Sequence, residues 1–187
     1  MLTDFIETHR AGTIVFTQTT YINLAVEKDV FKVAFTGKAE FKLKRGLTGN
    51  LSYHTQHPLL VNHNEPRTRL YINSKPNDPQ ALFDNIKLSV AQVSQDWRGL
   101  PSYLFGWNQA NAVSIVQQNI EQGSGILLDF APASIVKEVA KICEKHGVAT
   151  KFFGPLESDL NPASGRFSIL FIGSCYVIAK KFFVHAL

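Results

Sequence analysis

Residues 77–97 read NDPQALFDNIKLSVAQVSQDW, and the fold class turns on them. Upstream, apolar residues tend to alternate with polar ones. Within the stretch, Leu82, Ile86, Val90, Val93 and Trp97 recur at spacings of four, four, three and four, which lines one face of an α-helix. Asp78 offers a side-chain acceptor for the first free N–H groups, and Pro79 suits the first helical position, where its missing N–H costs nothing. The pattern predicts a helix ended by Gly99 and Pro101.

Working back from it, Arg67 to Ile72 reads as a strand, preceded by Leu51 to Thr55, Tyr21 to Val26 and Thr13 to Gln18, all rich in β-branched or aromatic residues. Phe31, Val33 and Phe35 alternate with Lys32 and Ala34, and Phe41 and Leu43 with Lys42 and Lys44. With Thr36-Gly37-Lys38 between them, these two runs predict a β-hairpin with one apolar and one basic face, inside an N-terminal antiparallel meander.

Working forward, the short aromatic segment Tyr103 to Trp107 leads to a second helix through Val113, Val116 and Ile120, stopped by Gly123-Ser124-Gly125. Ile126 to Asp129, a helix opened by Pro132 with Ile135, Val139, Ile142 and His146 on one face, and Val148 to Phe153 then predict a βαβ unit. Phe167 to Ile172 and Cys175 to Val184 flank Gly173-Ser174, the glycine-first pair of a II′ turn, and are apolar enough on both faces to be central strands. The expected fold is therefore α+β: a meander, two central helices, and a C-terminal βαβ unit plus hairpin around one mixed sheet. It is expected to be a single domain over 1–187, with a possible sub-boundary near 77 between a β-rich basic half (1–76) and a neutral half (77–187).

A chain of 187 residues, 45% hydrophobic and 18% charged, can bury roughly 70% of its unfolded surface, which excludes an intrinsically disordered tail. Most of its 14 phenylalanines fall on the proposed strands, so a core of rigid rings is expected. Two cysteines, Cys143 and Cys175, exclude a disulfide framework, and the acidic N-terminus lacks the positive region of a signal peptide. The most apolar stretch, Phe167 to Val184, is broken by Gly173-Ser174 and by Lys180-Lys181, short of the roughly 20 residues of a spanning helix. A soluble, cytoplasmic protein without membrane association is expected.

The charge is localised. Residues 1–76 carry ten basic and six acidic side chains, and residues 77–187 carry nine of each, so the net +4 belongs to the first part. Lys32, Lys38, Lys42, Lys44 and Arg45 concentrate it on the predicted hairpin, the first candidate binding surface for a protein partner or anionic ligand. Nucleic acid is disfavoured there, because that face lacks interleaved aromatics and carries a single arginine. The second candidate is a pocket near Trp97, Arg98, Tyr103 and Trp107, where aromatic walls and one cation would suit a small molecule.

Other groups carry less. His54, His57 and His63, with Glu65, lack the spacing of a metal site, so they are read as surface histidines of a polar loop, and no metal or cofactor is expected. Asp129 and Ser134 flank a helix start where an anion could bind, without any glycine-rich phosphate loop. Cys143 and His146 share a helix but fall within its apolar pattern, and no nucleophile motif exists. The sequence favours a non-enzymatic binding or interaction module acting through the basic hairpin, over a small-molecule binder or enzyme using the aromatic pocket and, third, a weak nucleic-acid binder.

Overall fold

The change of period is a change of structure. In the computed structural model, which describes residues 2–12, 15–26, 29–37, 39–42, 50–105, 111–156 and 166–186, a helix covers Pro79–Ser94. Asp78 is extended (φ −128°, ψ 96°) and its carboxylate accepts the Ala81 N–H at 2.9 Å. The helix ends earlier than its apolar spacing implies. Gln95 and Asp96 both enter the left-handed region, at φ 49° and 61°, so Trp97 leaves the stripe that Leu82, Ile86 and Val90 bury.

In chain order the elements are β1 (Leu2–Gly12), β2 (Val15–Val26), β3 (Asp29–Thr36), β4 (Glu40–Lys42), β5 (Leu51–His54), α1 (Pro58–Asn64), β6 (Arg67–Ile72), α2 (Pro79–Ser94), a 3₁₀ turn (Leu100–Tyr103), α3 (Ala112–Gln122), β7 (Gly125–Pro132), α4 (Ala133–Lys145), β8 (Thr150–Phe153), β9 (Ser168–Ile172), β10 (Cys175–Ala179) and β11 (Lys181–Ala186). The fold is α+β with antiparallel sheets. The strands form not one mixed sheet but three separate ones, ordered β1-β2-β3-β11, β4-β10-β9-β5 and β7-β6-β8. The chain divides into two compact units, Met1–His63 with Pro162–Leu187, and Asn64–Asn161. Residue 77 falls inside the second, and the last strands belong with the first.

In the first unit the predicted basic hairpin does not form. β3 pairs with β2 and β11, whereas β4 pairs with β10. The two runs are successive parts of one bent path along the C-terminal strands: Thr36 faces Lys181 and Glu40 faces Ile178, so one side carries an extra residue, as at a β-bulge. Gly37, at φ 65°, serves that bend and not a turn, and a Cβ there would lie 3.1 Å from the Lys180 side chain. Backbone bonds Ala39 N–H to Ile178 O (3.0 Å) and Lys180 N–H to Thr36 O (3.2 Å) carry the ladder through the crossing. Alternation states which residues share a face; it does not state which strand lies alongside.

The C-terminal hairpin is as expected, with Cys175 opposite Ile172 and Gly173 at φ 60° in the two-residue turn, but the strand beyond breaks at Lys180 and changes sheets. β9 and β10 are central and buried on both faces. Leu170, Ile172, Val177 and Ala179 pack with Val33 and Phe35, and Ile169, Tyr176 and Ile178 pack with Leu59 and Leu60 of α1. That helix stands where a polar loop was expected; Pro58 opens it and the two leucines hold it down.

The second unit has one continuous core. Leu70 and Ile72 of β6 and Leu127 and Leu128 of β7 pack under Leu82, Ile86 and Val90 of α2, Val116 and Ile120 of α3, and Ile135 and Val139 of α4. β7 and β8 run parallel to each other, as a βαβ unit requires, but β6 lies between them and is antiparallel to both. Gly123, at φ 73°, ends α3 where a Cβ would fall 2.4 Å from the Lys75 backbone nitrogen.

Candidate functional site

Only part of the first candidate surface falls within the described residues. Lys32 is half-buried on β3 and Lys42 exposed on β4, in two different sheets, while Lys38, Lys44 and Arg45 lie outside the described residues. The aromatic group is likewise described only in part. Tyr103 is a core residue at 5% exposure, Trp97 is 46% exposed, the Arg98 carbonyl accepts the Ser94 hydroxyl at 2.6 Å, and Trp107 lies outside the described residues.

The histidines gather in the first unit around aromatic rings. His54 and His57 stand 6.1 Å apart beside Phe171, and burial, then the neighbouring His54, lowers the His57 pKa. His63 approaches Glu40 at 3.3 Å, and Glu40 accepts the Tyr176 hydroxyl at 2.5 Å. Among the described residues no group of three or more His, Cys, Asp or Glu side chains is placed to hold a metal ion. Glu65 lies elsewhere: its carboxylate accepts the Ser134 N–H at 2.8 Å, filling the anion position at the start of α4 with the chain's own side chain. Cys143 and Cys175 are both free and buried; burial pushes the Cys143 thiol up to about 12, which leaves it uncharged and inert at neutral pH.

A different set of side chains does converge, on the three-stranded sheet of the second unit. Along β6, Thr68, Leu70 and Ile72 are buried, so Arg67, Arg69 and Tyr71 share the opposite face. On the neighbouring strand, Phe153 stands opposite Arg69 and Lys151 opposite Tyr71. The Tyr71 and Phe153 rings meet edge-to-face at 5.0 Å, and Phe153 remains 60% exposed.

β7 completes this face through an irregularity. Thr68 pairs with Ala131 and Leu70 with Leu128, so Asp129 and Phe130 together stand opposite Arg69 alone, a bulge. Phe130 is placed at φ 47°, a conformation that costs a bulky residue of order 1–3 kcal/mol. The strain turns its ring outward, 50% exposed, with the Arg69 guanidinium carbon 4.1 Å from its centroid. Arg69 Nε donates to Asp129 Oδ1 at 2.5 Å, and that bond raises the guanidinium pKa further. Asp129, expected as a local turn or cap acceptor, thus holds Arg69 over a ring. The assembled face carries three aromatic rings and the cations Arg67, Arg69 and Lys151 against one carboxylate.

Two features of the sequence concealed this face. Its cations are split between a segment of net positive charge and one of net zero, so neither segment's charge balance shows them together. Its two phenylalanines, Phe130 and Phe153, read as core residues in a phenylalanine-rich chain, yet they are 50% and 60% exposed. The alternation of Arg67, Arg69 and Tyr71 with Thr68, Leu70 and Ile72 was the available signal.

Comparison with protein-family models, with curated proteins and with solved structures finds no match to this chain. Among the described residues no helix is long and apolar enough to cross a membrane.

Proposed function

We propose that the protein is a non-enzymatic binding module whose ligand is single-stranded nucleic acid, held on the exposed face of β6, β7 and β8. The observation that carries the reading is the pairing of outward aromatic rings with cations on one sheet: Tyr71 and Phe153 on adjacent strands, Phe130 under Arg69, and Arg67 and Lys151 beside them. Unstacked bases lie flat on such rings at about 1–3 kcal/mol per base, and the cations meet the phosphates between them. The two properties missing from the basic strand run, interleaved aromatics and more than one arginine, occur together here. A duplex has no free base faces to offer, so it binds less well than a single strand.

The reading predicts weak, salt-sensitive binding. Each phosphate that Lys151 or another cation of the face neutralises makes a single strand lose about 2.6-fold in affinity between 50 and 200 mM salt. The test is fluorescence anisotropy of a short labelled oligo-dT or oligo-U titrated with the intact protein. Phe153→Ala, checked for unchanged circular dichroism, is expected to weaken binding at least about fivefold. Affinity that ignores this substitution, or binding absent in low salt, overturns the proposal.

A further inference from the structure

We infer that the protein forms a symmetric dimer through the edge strand β8, with a second copy of the chain seated in the groove between β8 and α4. In the sheet order β7-β6-β8, β8 is at the edge, and among the described residues it pairs with β6 alone. Beside it lies a groove of about 490 Å³ lined by Lys137, Ala140, Lys141 and Glu144 of α4 and by Thr150 and Phe152 of β8. Phe152, on the helix-side face of the strand opposite Leu70, is 40% exposed there. An edge strand with apolar side chains on both of its faces is a template for adding another strand.

The charge order along α4 selects the occupant. Lys137, Ala140 and Glu144 stand at helical spacing along the groove, with a base at one end and an acid at the other, while Lys141, which also lines it, is paired with Glu138 of its own helix at 3.1 Å. When a two-fold axis normal to the sheet joins two β8 strands antiparallel, it also lays the two α4 helices antiparallel on the same side. Lys137 of each copy then faces Glu144 of the other, and Ala140 lets the helices approach. The groove is complementary to itself, which an acidic or a basic peptide does not match at both ends.

Register follows from side-chain parity. Directly opposed residues in an antiparallel pair project to the same face, so the dyad must pass through a residue and not between two. Through Lys151 it would set two lysines against each other, which is destabilising. Through Phe152 it stacks the two Phe152 rings on the helix side and places each Lys151 opposite the other copy's Phe153. The exposed faces of the two sheets then become one six-stranded surface.

Analytical ultracentrifugation of the full chain across a concentration series tests this. The expected result is reversible association to twice 20.9 kDa, complete by about 100 µM for a micromolar dissociation constant. Phe152→Lys puts two cations at the dyad and is expected to leave a monomer whose circular dichroism is unchanged. Lys137→Glu or Glu144→Lys alone is expected to weaken association about tenfold, and the two together to restore it, a rescue that damage to folding would not give. A chain that stays monomeric at about 100 µM, or a dimer indifferent to Phe152→Lys and to both charge reversals, overturns the inference. Oligonucleotide binding is read separately: a monomer that binds defeats the dimer alone, and a dimer that does not bind defeats the nucleic-acid reading alone.

Discussion

The two units reach stable packing by opposite routes. The second is built from one uninterrupted segment, Asn64–Asn161, with one sheet and three helices around a single core. The first takes its strands from both ends of the chain. β3 and β4 find their partners in β11 and β10, about 140 residues away, and the apolar side chains among its described residues divide into two smaller clusters. The contrast teaches that matching local patterns can hide very different dependence on distant sequence. Closing a long loop costs entropy before any long-range contact repays it.

The largest expected effect tests that contrast directly. A fragment spanning residues 64–161 is expected to fold cooperatively, with circular dichroism and dispersed amide resonances of the intact unit. A fragment of residues 1–63 is expected to remain unfolded, since β4, β5 and one edge of β3 have no partner left. Folding of the shorter fragment would erase the distinction between the units. An intermediate effect sharpens it within the second unit: Leu70 is fully buried between the sheet and its helices, so Leu70→Ala is expected to cost about 2–5 kcal/mol by denaturant unfolding. A cost well below 1 kcal/mol would show that this core is not the single, tightly packed one described.

The smallest effect lies in the first unit and depends on pH. The folded state lowers the His57 pKa from 6.5, and the ring accepts the Leu59 N–H at Nδ1, a bond open only to the neutral form. The unfolded chain therefore takes up the proton first. The contribution of His57 is complete above pH 6.5 and is lost as pH falls through the lowered folded value. Thermal unfolding between pH 7.5 and 5 is expected to show a decline that His57→Gln flattens, while an identical slope in the variant would assign the decline to other groups.

Several elements were legible because their cause is local. The Asp78-Pro79 start of α2, the two-residue turn at Gly173-Ser174 and the buried faces of β9 and β10 each depend on a few neighbouring residues. The helix end at Gln95 was not legible, since two non-glycine residues in left-handed conformation carry no spacing signal. α1 was hidden because Leu59 and Leu60 are too few to show a period. At the candidate site, Arg67, Arg69 and Tyr71 could be placed on one strand face from the sequence. Their alignment with Phe153 and with the bulged Phe130 could not, because that depends on which strands flank β6.

By itself, then, the sequence determined the class of most elements and which side chains share a face, because backbone period and capping act over a few residues. The tertiary structure alone decided that residues 29–42 follow the C-terminal strands in place of folding back as a basic hairpin. It alone put the exposed rings of β7 and β8 beside the cations of β6. Hydrophobic burial is non-directional and many pairings satisfy the same alternation, so the choice among them falls to the packing of the whole unit.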